Sequence, residues 1–179
     1  GLLRRYNRVA FSPLREAANR AAERWIVARQ EVDGSWGGIQ PPWVYSLIAL
    51  KLRGYALDHP VMKRGLEGFE GVWSVQDSET FSPQACLSPV WDTALAMIAL
   101  MDSGLAPDHP AIVNAGRWLL REQVLTGGDW QVKAKGVEPG GWAFEFENEV
   151  YPDTDDTAEV LVALTRAKLP DEKRKQQAI

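Results

Sequence analysis

Three aspartates stand directly before an apolar helical pattern in the stretch YPDTDDTAEV, residues 151–160. Asp153, Asp155 and Asp156 are followed at once by the apolar run VLVAL. Carboxylates at the start of a helix cap free backbone N–H groups, bind a cation, or serve as an acid. An isolated cluster of this kind favours capping or cation binding, so the choice depends on the elements around it.

Internal repeats are the main organising signal of the chain. The segments WDTALAMIAL (91–100) and DDTAEVLVAL (155–164) align without gaps around a shared Asp-Thr-Ala element. A second repeat is a turn with two tryptophans, a glutamine and a glycine at similar spacing, first Trp25, Gln30, Gly34 and Trp36, then Trp118, Gln123, Gly128 and Trp130. Apolar helices therefore alternate with partner helices that end in such a turn.

Hydrophobic period and helix-end signals predict a mostly helical chain. The first helix starts with Ser12, Pro13 and Glu16 in a capping arrangement, and its apolar face contains Leu14, Ala17, Ala18, Ala21, Ala22 and Trp25. Further helices are predicted near 42–54, 60–70, 89–103, 108–123 and 155–168. Strand signal is thin and limited to the alternation in WAFEFEN, with Trp142, Phe144 and Phe146 on one side. Apolar inner helices with charged outer partners favour an all-α fold of the α/α barrel type over an open solenoid.

Two long segments without helical period, 71–88 and 124–152, each lead into a helix that begins with Asp. Long irregular connections in a compact domain are commonly functional, and these two are rich in Trp and Phe. If the inner helices run parallel around a ring, Asp92 and the pair Asp155 and Asp156 lie at the same end of it. That end is then lined by carboxylates and surrounded by aromatic rings.

Composition excludes several other classes of function. The formal net charge of −4 argues against a nucleic-acid partner, and the longest apolar run is far too short to span a bilayer. The single Cys86 cannot form an intrachain disulfide, and no spacing typical of metal ligands is present. The start without Met and the end inside a charged helical pattern predict an internal piece of a longer protein.

Four motifs resemble those of one enzyme family. The two Trp, Gln, Gly and Trp turns resemble the QW repeats of triterpene cyclases, while PDTDDTAEV resembles the D-x-D-D-T-A motif of squalene–hopene cyclases, as do SPVWDT and GSWGGIQPPW. The doubled Asp is typical of enzymes that act on squalene rather than on its epoxide. This resemblance implies that residues 1–88 end one α/α barrel region with the first QW repeat, and that 89–179 begin the catalytic barrel with the second repeat and the DTDD motif.

The resemblance also implies a role for each carboxylate. Asp155 is expected to be the proton donor, Asp153 and Asp156 its supports, and Asp92 the last member of the set. A carbon–carbon double bond is a very weak base, so the acid must be held protonated. Crowding carboxylates in an apolar cavity achieves this, and a helix amino end stabilises the anion that remains.

Further residues are assigned by the same resemblance. Phe144 is expected to stabilise a cation in the middle of the cascade through its ring face. Trp91 is expected to lie in the pocket beside the aspartates, and Ile39, Gln40 and Pro41 to line the far end of the cavity. The QW residues are expected to brace the barrel. The chemistry requires no cofactor and no metal ion, and none is expected.

The resemblance finally implies a partner and a location. Squalene resides in the bilayer, so a monotopic protein on the cytoplasmic side of a bacterial membrane is expected; a homodimer is compatible with this. Residues 11–28 are the candidate membrane-side helix, and packing of their alanine face against another helix explains the pattern equally well. Two alternatives remain open. A class II diterpene cyclase also uses a D-x-D-D motif but acts on a diphosphate, and a non-catalytic helical-repeat module would bind a protein partner instead.

Overall fold

The computed structural model describes residues 13–71, 73–145 and 151–179. These residues form one two-stranded sheet and the helices α1 (Pro13–Ala28), α2 (Gln40–Leu52), α3 (Pro60–Glu70), α4 (Pro89–Asp102), α5 (Pro110–Arg121), α6 (Thr154–Arg166) and α7 (Glu172–Ala178). The chain divides into two compact units, the first ending at Ala85 and the second beginning at Cys86. The helical content confirms the predicted all-α class.

Helices α3 and α5 begin in the same way, at the two Asp-His-Pro turns. Nδ1 of His59 accepts a hydrogen bond from the N–H of Val61 at 3.3 Å, and Nδ1 of His109 accepts one from the N–H of Ala111 at 3.2 Å. A proline follows each histidine at the first helical position, where its missing N–H costs nothing. Both histidines are thus helix caps, which explains why the Asp-His-Pro sequence recurs.

The core of the first unit forms around the indole of Trp43, which is 1 % exposed. Its Nε1 donates to the carbonyl of Gly65 at 2.9 Å. The ring makes edge contacts with Phe69 and Trp73, at centroid distances of 5.8 and 4.8 Å. Aromatic contacts of this geometry add to the hydrophobic burial, so α2, α3 and the following segment pack as one group.

Helix α1 packs through charged residues instead of its alanine face. Arg53, at the end of α2, pairs with Glu16 at 2.6 Å and with Glu23 at 2.9 Å. Hydrogen bonding to this guanidinium lowers the pKa of both carboxyls. No residue of α1 is buried, so within the described residues the predicted apolar face stays exposed. The predicted cap Ser12 lies outside those residues.

A hairpin occupies the first segment that was expected to be irregular. Strands β1 (Ser74–Gln76) and β2 (Phe81–Pro83) pair in antiparallel register. The turn between them is closed by Asp77, whose Oδ1 accepts the N–H groups of Glu79 and Thr80 at 2.8 and 2.7 Å. An Asp side chain that bonds its own following backbone is a common turn former. By contrast, the described part of WAFEFEN contributes only an isolated bridge between Trp142 and Asp153, and Phe146 lies outside the described residues.

Helices α4 and α6 form the centre of the second unit. They pack side by side, and an ion pair between Asp102 and Arg166 joins their last turns. The two helices therefore run in the same direction and their amino ends lie together. Helix α5 and the chain before α7 cover them, and the resulting core contains Val90, Ala94, Met97, Ile112, Leu119, Trp142, Val160, Ala163, Leu164 and Leu169.

Candidate functional site

The aspartate motif forms the amino end of α6. Asp153 is the residue before the helix, and its Oδ1 accepts the N–H groups of Asp155 and Asp156 at 2.9 and 2.8 Å. These are two of the donors that a helix start leaves without a partner. Capping is therefore one function of the cluster, and it falls to Asp153.

Asp156 points into the core and is 2 % exposed. Burial raises its pKa to about 7, and the neighbouring carboxyls of Asp153 and Asp155 add to the rise. Its Oδ1 has no hydrogen-bond partner among the described residues. This carboxyl thus keeps its proton close to neutral pH, because a buried charge beside other carboxylates is costly.

The burial of Asp156 was not predicted, although the sequence carries a signal for it. The buried residues of α6 are Asp156, Val160, Ala163 and Leu164, which follow the spacing of one helical face. Asp156 is in phase with that apolar face, whereas Asp155 is out of phase and exposed. The three carboxyls therefore occupy three different environments: a cap, an exposed position and the core.

Asp92 lies in the first turn of α4. Since α4 and α6 run in the same direction, Asp92 and the aspartate motif lie at the same end of this helix pair. The hydroxyl of Ser88 donates to Oδ2 of Asp92 at 3.1 Å. Trp91 precedes it and is half-buried.

Phe144 follows a segment that is bound to the aspartate motif. Trp142 is fully buried, and its Nε1 donates to the carbonyl of Leu119 at 2.6 Å. The N–H of Asp153 donates to the carbonyl of Trp142 at 3.1 Å. Phe144 comes two residues later in the chain and is half-buried.

Ile39, Gln40 and Pro41 lie in the first unit, at the start of α2. Ile39 is 38 % exposed. The N–H of Gln40 donates to the carbonyl of Ala85 at 3.0 Å, which ties the start of α2 to the end of this unit.

In the first QW turn, Gln30 connects three segments. Its Nε2 donates to the carbonyls of Gly34 and Val61 at 3.1 and 2.8 Å, while its Oε1 accepts from Nε and one terminal nitrogen of Arg64 at 3.2 and 2.9 Å. Trp36 is buried and donates to the carbonyl of Ile26 at 2.8 Å. The turn therefore attaches the end of α1 to the first turns of α3.

The second QW turn repeats this arrangement with different partners. Nε2 of Gln123 donates to the carbonyls of Gly140 and Ala178 at 2.7 and 3.3 Å, and its Oε1 accepts from Arg174 at 2.8 Å. Each glutamine thus pairs with an arginine of a later helix. Sequence reasoning missed both arginines, because nothing local distinguishes them from other charged surface residues.

The remaining QW residues are less uniform. Trp25 is 57 % exposed, with the guanidinium of Arg29 lying 4.1 Å from its ring centroid, and Trp118 is half-buried. Gly128 precedes a short 3-10 turn at Asp129–Val132. Trp130 lines a cleft of about 480 Å³ whose wall includes Asp153 and Thr157, and its Nε1 has no partner among the described residues.

The ranges that the structure describes contain no cluster of three or more His, Cys, Asp or Glu side chains placed to hold a metal ion. None of their helices is long and apolar enough to cross a membrane.

Comparison with known proteins gives two family matches. Residues 87–179 match the squalene-hopene cyclase C-terminal domain, and residues 1–78 match the squalene-hopene cyclase N-terminal domain. Both are domains of an α/α toroid family, which confirms the predicted α/α barrel class.

Curated relatives extend these matches over nearly the whole chain. A squalene–hopene cyclase of Alicyclobacillus acidocaldarius is 48 % identical over 174 residues, which are 97 % of this chain and 27 % of that protein. A dammaradiene synthase of Dryopteris crassirhizoma is 43 % identical over 96 % of this chain and 25 % of its own length. A squalene–hopene cyclase of Zymomonas mobilis is 34 % identical over 88 % of this chain and 25 % of its own length. The chain spans about a quarter of the length of these relatives, and it belongs to the squalene–hopene cyclase family.

Proposed function

We propose that the protein carrying this chain protonates squalene and converts it into the pentacyclic hydrocarbon hopene or its hydrated alcohol. The observation that carries the proposal is that the three aspartates at the start of α6 have different environments. Asp153 caps the helix, Asp155 is exposed, and Asp156 is buried with its pKa raised to about 7. The relatives reported above are named as squalene–hopene cyclases and a dammaradiene synthase, which favours neither the diphosphate cyclase nor the interaction module.

Asp155 is the proton donor in this proposal. Its carboxyl is the exposed member of the triad and is therefore the one that a substrate can reach. The O–H proton moves to a terminal alkene carbon, the π electrons form the new C–H bond, and a tertiary carbocation and the Asp155 carboxylate remain. The amino end of α6 stabilises that carboxylate through its dipole. Asp153 holds the helix start in place, and Asp156 and Asp92 complete the carboxyl set.

The cation then passes along the substrate as successive double bonds attack it. Phe144 stabilises the positive charge with its ring face by roughly 0.5–2 kcal/mol, and Trp91 lines the pocket beside the aspartates. Ile39, Gln40 and Pro41 line the far end, where the last cation loses a proton or takes up water. The QW residues brace the two barrel regions, residues 1–88 and 89–179.

Attachment to the cytoplasmic side of a bacterial membrane belongs to the same proposal. The exposed face of α1 supports it, since Leu14 and Trp25 are 81 % and 57 % exposed and no residue of that helix is buried. An exposed apolar helix face is suited to lie in the surface of a bilayer.

The test grafts this chain into the full-length enzyme of Alicyclobacillus acidocaldarius in place of its matching segment. The graft is incubated with squalene, and pentacyclic products are measured by mass spectrometry. Asp155→Asn is expected to lower their formation by a factor of about 10² or more. Asp58→Asn, an exposed aspartate in a turn of the first unit, serves as the matched control and is expected to change nothing.

Each outcome bears on a different part of the proposal. Product from the graft and its loss in Asp155→Asn support both the reaction and the acid. Equal product from both removes Asp155 from its role. A folded graft that yields no product contradicts the function itself.

A further inference from the structure

The hydroxyl of Thr157 is shared between two segments that are distant in the sequence. Its Oγ1 accepts the backbone N–H of Trp142 at 3.0 Å and donates to the carbonyl of Asp153 at 2.5 Å. The N–H of Asp153 donates in turn to the carbonyl of Trp142 at 3.1 Å. Three hydrogen bonds thus close a small ring between the start of α6 and the segment that leads to Phe144.

Local helix chemistry explains only part of this ring. A Thr hydroxyl that bonds the carbonyl four residues earlier is common inside helices. The hydrogen bond from the N–H of Trp142 is different, because the donor belongs to another segment of the chain. The hydroxyl of Thr157 accepts this bond while it donates to the carbonyl of Asp153. Both hydrogen-bonding capacities of one side chain are therefore engaged, and one of them fixes a long-range contact.

The segment on the other side of the ring is firmly held. The indole of Trp142 is fully buried in the core, where its Nε1 donates to the carbonyl of Leu119. The carbonyl of Gly140 accepts from Gln123 at 2.7 Å, and that of Gly141 accepts from the N–H of Val124 at 2.9 Å. The second QW turn therefore fixes residues 140–142, and Thr157 transmits that position to α6.

Gly141 and Thr157 approach each other closely, at one wall of the cleft that Trp130 also lines. A Cβ added to Gly141 would lie 2.7 Å from Oγ1 of Thr157 and 3.2 Å from Cβ of Pro152. A side chain at position 141 would therefore have to displace the hydroxyl of Thr157. The hydrogen bonds of the ring join the two sides, so such a displacement also alters the start of α6.

We propose that Thr157 is a positioning residue for the protonation site. Its hydroxyl sets the register between the aspartates at the start of α6 and the segment that carries Phe144, and thereby the distance from the acid to a ring that stabilises a later cation. This inference rests on the proposed function. It adds that the second QW turn serves the geometry of the site through Thr157.

Two substitutions in the full-length graft test the proposal. Thr157→Val keeps the shape of the side chain and removes the hydroxyl, whereas Thr157→Ser keeps the hydroxyl. The valine variant is expected to lower kcat for squalene about 10- to 100-fold, with KM changed less than about threefold, because a misplaced reacting group slows chemistry more than binding. The valine variant is expected to release a larger fraction of incompletely cyclised products. The serine variant is expected to restore both kcat and the product distribution.

Amide hydrogen exchange supplies a readout that does not depend on activity. The N–H of Trp142 is expected to exchange faster in Thr157→Val and at the wild-type rate in Thr157→Ser. Unchanged kcat and products in the valine variant would overturn the inference, and so would serine failing to rescue. If the valine variant does not fold, Gly141→Ala displaces the same contact from the other side and must lower kcat in the same way.

The two proposals fail in distinguishable ways. A parent graft that makes no cyclic product refutes the function, and the exchange rates at Trp142 alone then decide whether Thr157 fixes the contact. A parent graft that is active, with a valine variant of unchanged kcat, refutes only the role of Thr157.

Discussion

Arg166, at the end of α6, forms an ion pair with Asp102 at the end of α4. The pair joins the carboxyl ends of two helices that pack side by side in the same direction, so Asp92 and Asp153 lie at the opposite end of the helix pair. The ion pair therefore shows that α4 and α6 are parallel, and this direction is what brings Asp92 to the same end as the aspartate motif.

The strength of this ion pair is the first prediction. The two side chains are 36 % and 62 % exposed, so solvent screens the attraction and the pair is worth at most about 1 kcal/mol. A double-mutant cycle with Arg166→Met and Asp102→Asn, followed by chemical denaturation, measures the coupling energy. We expect it to vanish near about 1 M salt, where screening is nearly complete. A coupling well above that limit would contradict this account.

The second prediction concerns pH and Asp156. Its pKa is raised from 3.8 to about 7 by burial and by the neighbouring carboxyls. The folded state therefore holds this proton after the unfolded state has lost it, and the associated stability falls as pH rises from about 4 to about 7. Asp156→Asn mimics the protonated form and should abolish that fall. Chemical denaturation over this pH range measures the difference between the two proteins, which should be smallest at the acid end; equal slopes would refute the raised pKa.

Two glycines with similar backbone angles provide the third prediction. Gly34 and Gly54 have φ values of 93° and 95°, so alanine at either position costs about 1–2 kcal/mol in backbone strain. A Cβ at Gly34 would also lie 2.3 Å from the carbonyl oxygen of Arg64, whereas a Cβ at Gly54 meets nothing within 4 Å. Gly34→Ala is therefore expected to cost about 1–3 kcal/mol more than Gly54→Ala. Equal costs in denaturant unfolding would show that the close approach at Gly34 has no energetic weight.

The fourth prediction tests the histidine cap of α5. His109→Ala removes the acceptor for the N–H of Ala111 and should lower the free energy of unfolding by about 1 kcal/mol. His109→Asn keeps an acceptor at the same position and should recover most of that loss. The melting temperatures of the two variants provide the comparison, and an alanine variant as stable as the asparagine one would exclude a capping role.

Helices and their ends could be predicted from the sequence because their signals are local. The hydrophobic period predicted a helix near 60–70, and the structure has α3 at Pro60–Glu70. Contacts between distant segments could not be predicted in this way. The bond from Arg64 to Gln30, the burial of Trp73 beside the hairpin and the link from Trp142 to Thr157 all depend on which elements meet. The sequence alone identified the three aspartates as the candidate site. That Asp153 caps the helix, Asp155 is exposed and Asp156 is buried depends on how α6 packs.

The amide of Gln30 has a consequence for the chemical ageing of the protein. It offers a donor to two carbonyls and an acceptor to Arg64 from the same planar group. Slow deamidation to glutamate would keep its size and strengthen its attraction to Arg64. The new oxygen, however, would face the carbonyls of Gly34 and Val61, and two attractions would become repulsions. Deamidation would therefore weaken the contact between the end of α1 and α3. The first QW turn, which contains none of the residues of the aspartate motif, would lose stability first.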